Sequence, residues 1–279
     1  MAFSYTTLAI LSAVFAAIAN ILARTLLKDI KSRDILGINF ATSAVTLLVL
    51  SPFFYRFSAS PQTLGLVLLI GLIDGVANYF YFTAFEQTEA SVATPVLSLA
   101  PGFTFLFGWL FLGDVVSARI FALTIAIILL IIIFSTNFKD FKRFRAATLV
   151  PALAASFLFG ISAIPSKELL SQLHAINAPT LFLFRGVIIA LLAFSFFRKP
   201  TRMPTTRQYQ LIFVRGLFVI TQWLLLYYAL SKGNAGVSVT LGNITPIFVF
   251  AFSVVFLRER ATFKKITAAG LVLVLSLFV

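Results

Sequence analysis

Residues 88–119, TEASVATPVLSLAPGFTFLFGWLFLGDVVSAR, and residues 234–265, NAGVSVTLGNITPIFVFAFSVVFLRERATFKK, are two versions of one pattern. In each, small residues lead into an apolar run, a proline interrupts that run, and an acidic residue follows it. Slid by 145 residues, Ala90 falls on Ala235, Pro101 on Pro246, Leu112 on Leu257 and Asp114 on Glu259. The register holds without a gap for over thirty residues. The chain is therefore read as an internal duplication, and its fold depends on what is duplicated.

A helix crosses a bilayer core with roughly 20 apolar residues. Ten runs of about that length occur, at residues 5–23, 35–54, 63–85, 91–112, 118–134, 148–167, 179–197, 208–230, 236–257 and 263–279. A β-barrel would need shorter strands of alternating polarity, whereas 125–134 is apolar on every side. The first run is no cleavable signal, because its basic residues (Arg24, Lys28, Lys31, Arg33) follow it. Five spans fall in each half, and five is odd, so the second half must enter from the opposite side. The expected fold is an all-α integral membrane protein of ten transmembrane helices, arranged as two inverted five-helix repeats. The repeats are expected at 1–135 and 148–279, joined by a basic linker at 136–147.

Composition agrees with a membrane protein. Of 279 residues, 60% are hydrophobic and 11% charged, where a soluble domain is about a quarter charged. With no Cys, one His (His174) and nine acids, the chain lacks the material for thiol chemistry, a Cys/His zinc site or a disulfide scaffold. No cofactor and no metal is expected.

The two quoted segments resemble the halves of EamA-type carriers in the drug/metabolite transporter superfamily, and the resemblance extends over nearly the whole chain. It rests on the small-residue turn after the third helix, the proline within the fourth, and the acidic Asp114 and Glu259. An arginine common early in the second helix of each family repeat corresponds to Arg185, while the first half has Asn39 there. The second copy has Arg258 where the first has Gly113, and Phe159-Gly160 approximates the family's aromatic-Gly entry only in the sixth helix. The resemblance implies a membrane carrier and leaves its substrate open.

The net charge of +13 is distributed unequally. Loops one–two, three–four, five–six, seven–eight and nine–ten hold sixteen Lys and Arg, and the opposite loops hold four, Arg56, Arg119, Lys167 and Lys232. The positive-inside rule makes the first face cytoplasmic, against anionic lipid headgroups, with both termini outside a cell membrane. The resemblance implies the opposite, cytoplasmic termini. Either way the basic excess is explained without nucleic acid.

Charged residues well inside the spans are Asp74, Arg185 and Arg215. Each costs about 2.5 to 3.5 kcal/mol at a helix centre on insertion scales, so each is expected to face protein or a water-filled interior. Asp74 and Arg185 are expected either to pair or to handle substrate or protons. Arg215, one or two turns inside its helix, could instead snorkel to the cytoplasmic surface. Gly71, Asp74 and Asn78 share a stripe on helix three, as do Arg215, Val219, Gln222 and Trp223 on helix eight. If both stripes face the centre, a carboxylate on one wall and a guanidinium on the other suit a zwitterion, whose carboxylate takes a bidentate Arg contact. The aromatic clusters Tyr79, Phe80, Tyr81, Phe82 and Trp223, Tyr227, Tyr228 lie on the helices that carry these stripes, so some of their rings are expected to line the cavity, and Asn20 on helix one is a further polar candidate.

Pro101 and Pro246 are the expected kink positions, each freeing the carbonyl four residues earlier, at Leu97 and Gly242. Ser98 and Asn243, three before each proline, are expected to supply a partner to those carbonyls or share a cavity water.

The expected function is a secondary transporter moving small organic metabolites, amino acids or related amphipathic compounds, by alternating access. No Walker lysine loop is present, so energy would come from a gradient or exchange. Asp74, the only mid-membrane carboxylate, is the best proton-site candidate. Partners are the small-molecule substrate and membrane lipid, and the chain is compatible with a monomer or homodimer. One alternative is an intramembrane enzyme acting on lipid, which would need a nucleophile with a base or paired carboxylates. Another is a non-transporting structural or receptor membrane protein, which would leave the duplicated prolines without a purpose.

Overall fold

The computed structural model describes residues 4–27, 29–87, 96–114, 116–135, 149–196, 203–257, 267, 270–272, 274–275 and 278. Its described elements are helical: α1 (Tyr5–Leu26), α2 (Ser32–Leu50), α3 (Pro61–Gln87), α4 (Ala100–Leu112), α5 (Ala118–Ser135), α6 (Val150–Lys167), α7 (Ala178–Phe196), α8 (Thr206–Lys232), α9 (Ala235–Gly242) and α10 (Thr245–Leu257). Among the described residues, seven helical segments are long and apolar enough to cross a membrane, with α9 and the start of α10 counted together. Two shorter apolar helices, at 100–112 and 118–130, accompany them. The expected tenth span, 263–279, lies largely outside the described residues.

Local chemistry sets the helix ends. Ser4 accepts from the Thr7 amide and starts α1. Thr205 and Gln208 form a reciprocal capping box at α8, and Asn234 accepts from Val237 at α9. Gly113 closes α4 in the left-handed region at φ 63°, where a side chain would be strained.

The ninth span, expected as one helix over 236–257, is two. Its break falls at Asn243–Ile244, and the first half breaks at Ser98–Leu99, the same positions under the 145-residue shift. The cause is the proline two residues after each break, which cannot donate to the preceding turn.

Packing follows the duplication. α1 lies against α8 as α6 lies against α3; α1 meets α9 as α6 meets α4; and α2 meets α8 as α7 meets α3. The pairs α2 with α7 and α4 with α9 join equivalent helices of the two halves. Helices approach closely where side chains are absent: a Cβ on Gly160 would lie 2.9 Å from the Ala100 carbonyl oxygen, and Thr104 donates to the Gly160 carbonyl at 3.2 Å. Large apolar side chains such as Val49, Phe53, Trp109, Leu191 and Phe196 point outward, while Asp74, Arg185, Asn39 and many Ser and Thr are buried. That is the expected distribution where the outer solvent is hydrocarbon.

At one end the α2–α3 and α6–α7 loops join the halves. Phe57 and Ile176 form an isolated antiparallel bridge, the Ser58 amide donates to Ala175 at 2.8 Å, and the Asn177 side chain donates to the Phe54 carbonyl at 2.6 Å. His174 sits here, exposed, in a turn with φ 47°.

Candidate functional site

Two buried polar clusters stand where α2, α3, α7 and α8 converge. In the first, Arg185 of α7 forms an ion pair with Asp74 of α3, and both are almost wholly buried, at 0% and 1% exposure. Trp223 of α8 presents its ring face to the guanidinium, 3.7 Å from the Arg185 Cζ, with Phe182 at 5.4 Å and Phe40 at 5.9 Å. Ser162 of α6 faces the Asp74 carboxylate. The Tyr227 hydroxyl faces Ser166 and Arg185.

Contact in this cluster is coulombic and aromatic more than hydrogen-bonded. Arg185 Nε and Asp74 Oδ2 make the close contact of the ion pair; among the described residues, the guanidinium's other donors and Asp74 Oδ1 make no hydrogen bond of good geometry. Buried charges in that condition are costly unless something further satisfies them. The guanidinium thus retains donors for an anionic group, and the carboxylate retains acceptor capacity for a cationic one.

In the second cluster, Arg215 of α8 donates from Nη1 to the Asn39 side-chain oxygen and from Nε to the Ala19 carbonyl at 3.2 Å. Its Cζ lies 5.8 Å from the Phe82 ring. Close by, the Tyr81 hydroxyl donates to Asn20 Oδ1 at 3.1 Å. Arg215 does not snorkel as the sequence allowed: it is 6% exposed and turned inward onto α1 and α2, because the Asn39 amide and a helix carbonyl offer acceptors.

The remaining sequence candidates divide. Asn78 is buried near Asp74 but donates to the Asp74 carbonyl of its own helix at 2.7 Å. Gln222 is half-buried beside Trp223. Ser98 is buried at the first break, and Pro101 just beyond it is buried too. At the second break, before Pro246, the freed Gly242 carbonyl takes its hydrogen bond from Thr245 Oγ1 at 2.9 Å. Asn243, expected to serve there, donates to Val239 at 2.8 Å, since its longer side chain reaches back one full turn. Of the aromatic runs, Tyr81, Phe82 and Tyr227 turn inward, whereas Tyr79 and Tyr228 are exposed.

Sequence reading passed over Asn39, Ser162 and Ser166 as site residues and noted Tyr81 only within the aromatic cluster 79–82. Asn39 carried a signal, as the residue standing where the family pattern has arginine.

Residues 4–136 and 147–279 each match the EamA-like transporter family. The chain belongs to that family. It is similar to an uncharacterised transporter of Archaeoglobus fulgidus, 22% identical over 191 residues, which are 68% of this chain and 66% of that protein. A 61-residue stretch is 39% identical to an uncharacterised protein of Methanocaldococcus jannaschii, covering 22% of this chain and 44% of that one. The matched regions thus span just under two thirds and under half of these relatives. A solved crystal structure superposes with a TM-score of 0.77 over 98% of this chain and 93% of its own, at 15% identity, which bears on the fold alone. The chain is a multi-pass membrane protein built from two copies of the EamA-like unit.

Proposed function

We propose that this EamA-family chain is a secondary transporter of small amphipathic organic metabolites, amino acids or close relatives, working by alternating access. The observation that carries the substrate class is the enclosed Asp74–Arg185 pair under the Trp223 ring. A guanidinium with several donors and a carboxylate with several acceptor positions, paired with each other through one close contact, match the two ends of a zwitterion, and the flanking aromatic rings match an apolar side chain. A substrate entering between Arg185 and Asp74 would exchange one internal ion pair for two, so the buried charges stay compensated through the cycle.

Ten helices in two inverted halves, at 1–135 and 148–279 with the basic segment 136–147 between them, make the mechanism economical. Helix pairs that recur when the halves are exchanged support it, because two halves of one architecture can trade conformations and so open alternate sides. The basic loops face the cytoplasm in this reading, with both termini outside the cell membrane. Drive comes from a proton gradient through Asp74, or from exchange.

The test is uptake into sealed proteoliposomes of a labelled metabolite panel. It pairs each amino acid with its decarboxylated amine and its deaminated acid. Uptake or competition confined to compounds bearing both charged ends is the expected result. Transport of the amines and acids as well as the zwitterions would remove Asp74 and Arg185 from recognition.

A further inference from the structure

Asp114 lies just past the end of α4, and its carboxylate takes both oxygens to the Lys167 ammonium of α6, at 2.6 and 2.8 Å. The same carboxylate accepts from the Ala235 amide, the first residue of α9, at 3.2 Å. Three helices, one from the first half and two from the second, thus meet on one carboxylate. Gly113 aims it: the left-handed residue turns the chain so that the Asp114 amide donates back to Gly108 at 3.1 Å while its side chain swings over α6. The side chains of Lys167 and Asp114 are 11% and 16% exposed, so the pair is only partly screened from solvent.

Two features set this contact apart from a static staple. First, it caps the buried cluster. Ser166, the neighbour of Lys167, faces the Tyr227 hydroxyl, and Ser238, one turn into α9 from Ala235, is fully buried with a hydroxyl that has no partner among the described residues. Second, α6 is built to bend at this point. Pro165 removes a backbone donor two residues earlier, and a π-helical turn, Glu168–Gln172, begins one residue later, its Leu173 amide reaching the Glu168 carbonyl at 2.9 Å. A bend between them carries Lys167 away from Asp114 while most of α6 stays packed on α3 and α4.

We infer that Asp114, Lys167 and the Ala235 amide form a charged clamp that closes the site from this end, and that breaking the clamp at the α6 bend opens it. The pair is held by charge in a partly wet position, where such contacts are modest and reversible. This suits a gate that must open in every cycle. The inference rests on the transport reading above, but its direct readout does not require the substrate.

The chain contains no cysteine, so a single Ser238→Cys reports access. An impermeant maleimide is applied to reconstituted protein from the side bearing Lys232. Asp114→Asn, which keeps an acceptor for Ala235 and loses only the charge, and Lys167→Gln are each expected to raise the labelling rate about fivefold or more. The charge exchange Asp114→Lys with Lys167→Asp is expected to bring it most of the way back. Size-exclusion profiles and melting temperatures identify any variant that fails to fold, and the exchanged pair tests the inference independently of either single change. Unchanged labelling in folded Asp114→Asn and Lys167→Gln overturns the clamp, as does an exchanged variant that labels like the single ones. A second experiment places cysteines at positions 114 and 167 and bridges them with a short bismaleimide. Uptake of any metabolite the parent carries is expected to stop on bridging, and uptake that continues overturns the clamp. If labelling responds as expected and no metabolite in the panel is carried, the clamp stands and the substrate reading falls.

Discussion

The guanidinium of Arg215 donates to the side-chain oxygen of Asn39, and Asn39 holds in α2 the place that Arg185 holds in α7, the eighth residue of a 19-residue helix. The two polar clusters are therefore related by exchange of the halves. Each joins the second helix of one half to the third helix of the other or its own, with one arginine in each. They differ in chemistry, since a carboxylate faces the arginine in one and an uncharged amide in the other. The duplicated scaffold thus holds one charge-neutral cluster and one that carries net positive charge.

Among the described residues, loss of the Asn39 acceptor leaves the buried Arg215 with the Ala19 carbonyl as its acceptor. Asn39→Ala is expected to destabilise the protein by about 1 to 3 kcal/mol, the cost of an unsatisfied buried polar group. Asn39→Asp, which supplies a charged acceptor, should melt at or above the parent temperature in detergent. Melting of Asn39→Ala at the parent temperature would show that Arg215 finds another acceptor.

The Asp74–Arg185 pair calls for a double-mutant cycle. Asp74→Ala or Arg185→Ala alone strands a buried charge and is expected to cost about 3 to 5 kcal/mol, while the double change recovers much of the loss. Arg185→Lys should not substitute, because an ammonium cannot span the Trp223 ring and the carboxylate together. Thermal melting of the four proteins measures the coupling. Additive losses would mean that the two charges are compensated separately.

Seven helical segments among the described residues were legible because each carries an apolar run long enough to cross a bilayer, and the prolines recurring at one register marked where the fourth and ninth spans depart from a straight helix, though as kinks and not as the breaks at 98–99 and 243–244. Which way a helix turns about its axis was not legible. Arg215 is close enough to its helix end to reach the headgroups, and only the packing of α8 on α1 and α2 turns it inward. Thr245 escaped notice as the partner of Gly242 because its hydroxyl is ordinary in an apolar run, whereas the amide of Asn243 is conspicuous there. Asp114 and Lys167, at span ends, read as interfacial charges. Their pairing depends on a left-handed glycine and a bend in another helix.

Orientation is open to a labelling test in a chain without cysteine. Cysteines at Ser58 and Lys232 are expected to react with an impermeant thiol reagent in intact cells, and cysteines at Asp140 and Arg202 to be protected until the membrane is permeabilised. The count of basic residues in alternate loops sets this expectation. The reverse pattern would place both termini in the cytoplasm and put the Asp114 clamp on the inner side.

Asp74→Asn separates energy coupling from recognition. The substitution keeps the size and an acceptor oxygen at the centre of the site but can neither carry a proton nor balance Arg185. In vesicles with an imposed pH gradient, concentrative uptake of a carried metabolite is expected to disappear. Exchange of that metabolite across the membrane continues, with weaker affinity for compounds bearing an ammonium group. The two results together assign the proton and the substrate cation to one carboxylate, which alternates between them. Concentration of substrate by the variant at the parent level under the same gradient would leave Asp74 with the single task of neutralising Arg185.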